Sequence, residues 1–214
     1  CNFKRYMKNE DEQMKKNDLI KQTIINKTNE LIRKQSNVTI KEIAKECYVN
    51  IAAVNYHFGS KDQLIEIVLN SVIAELKNSV LDLINNLKED ATPEEILTNL
   101  LEFVYSFALD NMGIVKYFFL QTENQQDASN LLLDSFFSDN SFTQLIFEKL
   151  SLATNITDPV ALRARYMILF SAFAIPLFIQ ISQSKQDAQT VSKPLLTNIM
   201  FRNQYIKELI RLIN

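Results

Sequence analysis

Two glycines and four prolines are all that 214 residues contain, and this scarcity constrains the fold more than any other feature. Strand-rich folds spend both residue types freely on tight turns. A chain so poor in them must build long helices joined by few sharp reversals, so an all-α fold is expected. Periodicity agrees: apolar residues recur at steps of three and four over most of the chain, and no segment alternates as a strand does. The length suits one or two domains with a substantial core. A hydrophobic content of 47% fits a soluble globular chain.

Several function classes are set aside by what the sequence lacks. It has no Gly-rich phosphate loop, nucleophile elbow or metal-ligand spacing, so no catalytic residue, metal or cofactor is expected. Cys1 and Cys47 make no disulfide framework. Cys47, among Ile43, Ala44 and Val49, reads as a small buried thiol, and a reducing, cytoplasmic compartment is the default. The opening residues, Cys1 to Lys16, are polar and charged, unlike a secretory signal. The longest apolar run, Met167 to Ile181, is interrupted by Ser171 and Pro176. It falls short of the roughly 20 residues of a membrane span and reads as a core helix.

Charge is unevenly placed. Residues 1–62 hold 12 Lys and Arg against 8 Asp and Glu, whereas the whole chain carries −2. A basic first segment on an acidic body suits a module that meets phosphate.

Residues 1–14 lack periodicity and are expected to form a disordered arm. From Asp18, Ile20, Ile24, Thr28 and Leu31 recur at helical spacing. Thr39 with Glu42 three residues on forms a capping box that opens a short second helix, faced by Ile40, Ile43 and Ala44. Cys47-Tyr48-Val49 reads as a tight turn. Asn50 is a second N-cap, opening a short helix through about Phe58, and Gly59-Ser60 ends it. A long fourth helix follows to about Asp90, with an apolar stripe at Leu64, Val68, Val72, Leu76, Val80, Leu83 and Leu87. Further helices are expected over 93–110, 113–123, 127–137, 140–153, 158–182 (kinked at Pro176) and 194–213.

Three short helices with a sharp turn before the third make a helix-turn-helix, whose third helix fits the major groove of DNA. Residues 50–58 have the mix such a helix needs. Val54 and Phe58, four apart, can face the core. Ile51 joins that face or packs on thymine methyls. Ala52 and Ala53 are small enough for close approach to base edges. Asn55 offers the donor and acceptor pair that adenine readout requires. Tyr56 and His57 present donors at the groove's edge, where phosphates lie. Lys61 adds charge at a helix N-terminus. His57, the only histidine, has no second ligand near it in sequence.

Residues 18–65 resemble the DNA-binding domain of the tetracycline-repressor (TetR) family. The resemblance rests on the run Thr39 to Ala44 and the run Val49 to Leu64, above all on Tyr56-His57-Phe58-x-x-Lys61 and on Thr39. It covers about a quarter of the chain. By position it implies phosphate contacts at Thr39, Asn50, Tyr56, His57 and Lys61, and base contacts at Ala52, Ala53 and Asn55. Two residues depart from the family pattern: Tyr48 stands where Gly is usual in the turn, and Asn55 where Tyr is common.

The resemblance further implies a helix-turn-helix domain over 15–62 and a helical effector-binding and dimerisation domain over 63–214. A homodimer joined by the last two helices would set two recognition helices about 34 Å apart on an operator in double-stranded DNA. The segment 166–179 is apolar nearly all round, as a helix covered on two sides must be. Phe103, Phe107, Tyr117 and Gln121 are candidate lining residues for a small hydrophobic or aromatic effector. The expected function is therefore a sequence-specific repressor released by such an effector. A DNA-binding protein of the same fold with a chromosome-organising role and no effector is the alternative.

Overall fold

The computed structural model describes residues 2–35, 37–88, 90–120, 125–183 and 195–213. Among these the secondary structure is helical, with no strand: α1 Asn2–Lys34, α2 Ile40–Glu46, α3 Ile51–Phe58, α4 Lys61–Asn85, α5 Pro93–Asp110, α6 Met112–Leu120, α7 Gln125–Phe136, α8 Ser141–Thr154, α9 Pro159–Gln183 and α10 Ile199–Ile213, the last preceded by a 3-10 turn at Leu195–Thr197. The all-α expectation holds.

At the N-terminus the sequence expectation is corrected. The arm placed at residues 1–14 is helix from Asn2, continuous with the amphipathic segment. Amphipathic periodicity marks only where a helix packs. A stretch rich in Lys, Glu, Gln and Met, with neither Gly nor Pro, can extend a helix already nucleated by a packed segment. Later in α1, Ile24, Thr28 and Ile32 are fully buried, whereas Leu19 is exposed.

The contacts divide the chain into two compact units, Cys1–Val72 and Ile73–Asn214. The first has a core of Ile24, Ile32, Val38, Ile43, Val54, Phe58, Leu64, Val68 and Val72. The division falls inside α4, later than Asp62 where the sequence reading set it. The early turns of α4 bury Leu64, Ile65, Val68, Leu69 and Val72, so this part of the helix is structurally a member of the first unit.

The second unit is built around Leu101, Tyr105, Leu150, Leu162, Leu177, Leu196, Ile206 and Ile210. Its most telling contact surrounds Pro176, inside α9. Proline has no N–H, so it cannot donate to the carbonyl four residues back, which is that of Ala172. Two tyrosine hydroxyls donate to that oxygen instead: Tyr105 of α5 at 3.1 Å and Tyr205 of α10 at 2.8 Å. The ring of Tyr105 also stacks on Phe173, with centroids 4.2 Å apart. One proline thus ties three helices together. A similar economy holds at the end of α7, where the Tyr166 hydroxyl donates to the carbonyl of Phe136 at 2.8 Å. Burial pushes the Tyr166 hydroxyl up to about 12. The Gln180 side-chain oxygen accepts from the amide of Leu196 at 3.2 Å and so satisfies a buried polar group.

Helix α9 is long and apolar enough to cross a membrane by length and composition alone. Its inner face nevertheless packs into this core through Leu162, Tyr166, Leu169, Phe173 and Leu177. Its other face is open in the single chain: Met167, Ile168, Ile175 and Phe178 are exposed, as are Ile199, Met200 and Phe201 of α10.

Candidate nucleic-acid interface

The geometry of the first unit starts from its caps. At Thr39, which has extended backbone angles, the hydroxyl accepts from the Glu42 amide at 3.3 Å. The Glu42 carboxylate accepts from the Thr39 amide at 2.7 Å and from the Thr39 hydroxyl at 2.8 Å. These bonds favour the charged form and hold the Glu42 carboxyl below its ordinary value. Thr39 therefore donates its hydroxyl proton inside the chain. A phosphate contact by that hydroxyl requires it to turn away from Glu42.

Helix α2 ends in a reversal that the backbone specifies closely. The Tyr48 amide donates to Lys45 and the Val49 amide to Ala44, at 3.2 and 3.0 Å. This is the Schellman pattern, with Tyr48 in the left-handed position at φ 54°. The departure from Gly noted in the sequence has left the turn intact. A side chain there costs roughly 1–2 kcal/mol. The Tyr48 ring is 97% exposed, so it recovers nothing by packing within the chain. Cys47, expected to be buried, is a free, half-buried thiol at the end of α2, and desolvation pushes its pKa up.

Asn50 caps α3 as expected: its side-chain oxygen accepts from the Ala53 amide at 2.6 Å. Such a cap contributes about 1 kcal/mol. Its NH2 group makes no hydrogen bond among the described residues and is exposed with the rest of the residue. Val54 and Phe58 are buried, anchoring the helix by its inner face. Each such burial is worth about 1.5–3 kcal/mol. The opposite face carries Ala52, Asn55 and Tyr56, all exposed, with Tyr56 at 79%. Ala53 and His57 flank them, half-buried. Ile51 stands at the margin, on the exposed side, and so does not join the core. The Tyr56 ring meets His57 edge-on, with centroids 5.1 Å apart.

Gly59 closes α3 at φ 75°, where any side chain would also run into Gln63. The Ser60 hydroxyl then accepts from the Gln63 amide at 3.2 Å, capping α4 with half-buried Lys61 as its first residue. All eight residues singled out for DNA thus fall on α3, on the caps of α2 and α3, or at the start of α4. Sequence reasoning passed over exposed Lys41, two residues after Thr39, whose charge beside a helix cap was the available signal.

Residues 24–68 match the family model described as bacterial regulatory proteins, tetR family. This segment of the chain carries a TetR-type DNA-binding domain. The match runs from the inner face of α1 through the early part of α4 and contains the whole helix-turn-helix. The HTH-type transcriptional regulator BetI of Rhizobium meliloti is 27% identical over 99 residues. That match spans 45% of this chain and 47% of BetI, so the chain covers about half the length of this curated relative. Solved structures share the TetR fold at larger scale. A tetR-family transcriptional regulator from Streptomyces coelicolor has a TM-score of 0.60 at 16% identity, covering 90% of this chain and 80% of that one. A transcriptional regulator from a Rhodococcus species has a TM-score of 0.62 at 16% identity, covering 90% and 95%.

The residues singled out for an effector are less unified in this TetR-type fold. Phe103 and Phe107 lie together on one flank of α5, half-buried, with centroids 6.1 Å apart. The buried stripe of the same helix is Leu101, Tyr105 and Ala108. Tyr117 is buried on α6, and Gln121 lies outside the described residues. The larger aromatic assembly is elsewhere, on α7 and the turn after it, α8 and α9. It joins Phe136, Phe137, Phe142, Phe147, Tyr166 and Phe170. Its signal in the sequence was the density of Phe between residues 136 and 147.

Proposed function

We propose that this protein is a homodimeric, cytoplasmic repressor of the TetR family that reads an operator with α3 and is released by a small, mainly apolar effector held in the second unit. The observation that carries the reading is the outer face of α3. Asn55 and Tyr56 stand exposed on a helix whose other face is anchored by Val54 and Phe58. Small side chains at Ala52 and Ala53 let that helix approach base edges, with Asn55 reading an adenine. Thr39, Asn50, Tyr56, His57 and Lys61 bind the flanking phosphates and fix the register.

Dimerisation through α9 and α10 is supported by their open apolar residues, Met167, Ile168, Ile175 and Phe178 on one and Ile199, Met200 and Phe201 on the other. Monomers seldom expose large contiguous apolar patches unless something covers them. An effector acts by favouring a dimer whose half-site spacing no longer fits, a coupling of typically about 1–3 kcal/mol.

Selection of bound duplexes from a random pool tests the reading. The expected result is a two-fold symmetric site whose half-sites lie about one helical turn, or a multiple of it, apart. Equilibrium sedimentation of the same protein should give a dimer. Indifference to every duplex, or a monomer at micromolar concentration, refutes the proposal.

A further inference from the structure

Within the second unit, the ammonium of Lys77 on α4 stands over two phenylalanine rings. It lies 5.5 Å from the centroid of Phe136 and 5.3 Å from that of Phe142. Phe142 belongs to the first turn of α8, the positive end of that helix's dipole. A cation is not stabilised there, and no carboxylate among the described residues forms an ion pair with it. Desolvation lowers the Lys77 pKa, and no acidic neighbour among the described residues opposes that shift. Phe136 and Phe142 are also part of the aromatic assembly of α7, α8 and α9, whose rings are each only half-buried. The rings run on from Lys77 through Phe170, Phe137 and Tyr166, with neighbouring centroids 4.5 to 6.2 Å apart along that path. An ammonium held by ring faces, with no carboxylate partner among the described residues, therefore sits at one end of a partly open aromatic surface.

We propose that this surface binds a small amphiphilic carboxylate, whose anionic head pairs with Lys77 while its apolar body lies along the rings. The charge selects an anion over an alcohol of the same shape, and the rings select an apolar body over a small polar anion. The inference rests on the effector reading above and narrows it to a class of ligand. It also places the ligand's charge on α4, the helix that begins in the DNA-binding unit.

Calorimetric titration of the full chain with decanoate, decanol and decyltrimethylammonium tests it, using wild type, Lys77→Met and Lys77→Arg. Wild type should bind decanoate at least about tenfold more tightly than decanol, the least expected of a bond between charged groups. Lys77→Met should lose that margin while holding decanol as before, which also reports that the variant is folded. Lys77→Arg should keep it. Equal decanoate affinity in wild type and Lys77→Met, or no decanoate binding at all, overturns the proposal. So does tightest binding of decyltrimethylammonium, since the rings then hold a ligand cation in place of Lys77. Release of operator DNA is read separately. Lys77-dependent decanoate binding with unchanged DNA affinity supports this site and refutes the effector reading alone.

Discussion

The carbonyl of Ala172 offers a test in which two substitutions do more together than apart. Pro176 deprives it of its helical donor, and Tyr105 and Tyr205 replace that donor from two other helices. Tyr205→Phe removes one bond and leaves the other, at a cost of about 0.5–1.5 kcal/mol, and Tyr105→Phe should cost a similar amount. Phenylalanine at 105 keeps the stacking on Phe173, so packing is little changed. The double variant leaves a half-buried acceptor without either donor, which adds roughly 1–2 kcal/mol beyond the sum of the single effects. The total, about 2–5 kcal/mol, corresponds to a fall of roughly 4–20 °C in Tm for a chain of this size. Denaturant unfolding at fixed protein concentration, with unchanged m-values, is the assay. Pro176→Ala supplies the missing N–H and should shrink the extra loss in the double variant. Single effects that simply add, or a Pro176→Ala background that leaves the coupling unchanged, would show that the two hydroxyls do not share one acceptor.

The first unit gives four further expectations. Tyr48→Gly relieves the left-handed strain and should raise stability by up to about 1 kcal/mol once the extra chain entropy of glycine is counted, read as a higher denaturation midpoint; a lower one would deny the strain. Asn50→Ala should cost about 1 kcal/mol through loss of the α3 cap, whereas Asn50→Asp, which retains the acceptor, should cost less; equal losses would contradict the cap. Lys61→Ala should weaken binding to all duplexes alike and flatten the salt dependence, while Asn55→Ala should relax preference at one operator position, both read by fluorescence anisotropy across salt and sequence. The last concerns pH. Folding lowers the Glu42 pKa, so its contribution is present above the unfolded carboxylate value and is lost as pH falls through the lower folded value. Wild type should therefore lose stability relative to Glu42→Gln as pH drops through the carboxylate range; parallel pH profiles would exclude the linkage.

Much of the first unit was legible because its determinants are local. The Thr39–Glu42 box, the Asn50 cap, the Gly59 stop and the buried pair Val54 and Phe58 each follow from a residue type and a spacing of three or four. The start of α1 was misplaced because periodicity reports burial, and Asn2 to about Lys16 continue a helix without a repeating apolar stripe. The candidate effector residues were chosen from local aromatic density in α5 and α6. The rings that gather in space come instead from around the α7–α8 turn and from α9, and which of them meet is decided by how these helices pack.

The helical class, the capped α3 and its outward face were all readable from residue order, since hydrogen bonds and side-chain periodicity within a few residues suffice for each. Helix packing was needed to show that α4 belongs to both units, that Pro176 leaves a carbonyl for two distant tyrosines, and that Lys77 stands over Phe136 and Phe142. Those pairings join residues far apart in the chain, and their register is set by how whole helices pack, a property no short window of residues carries.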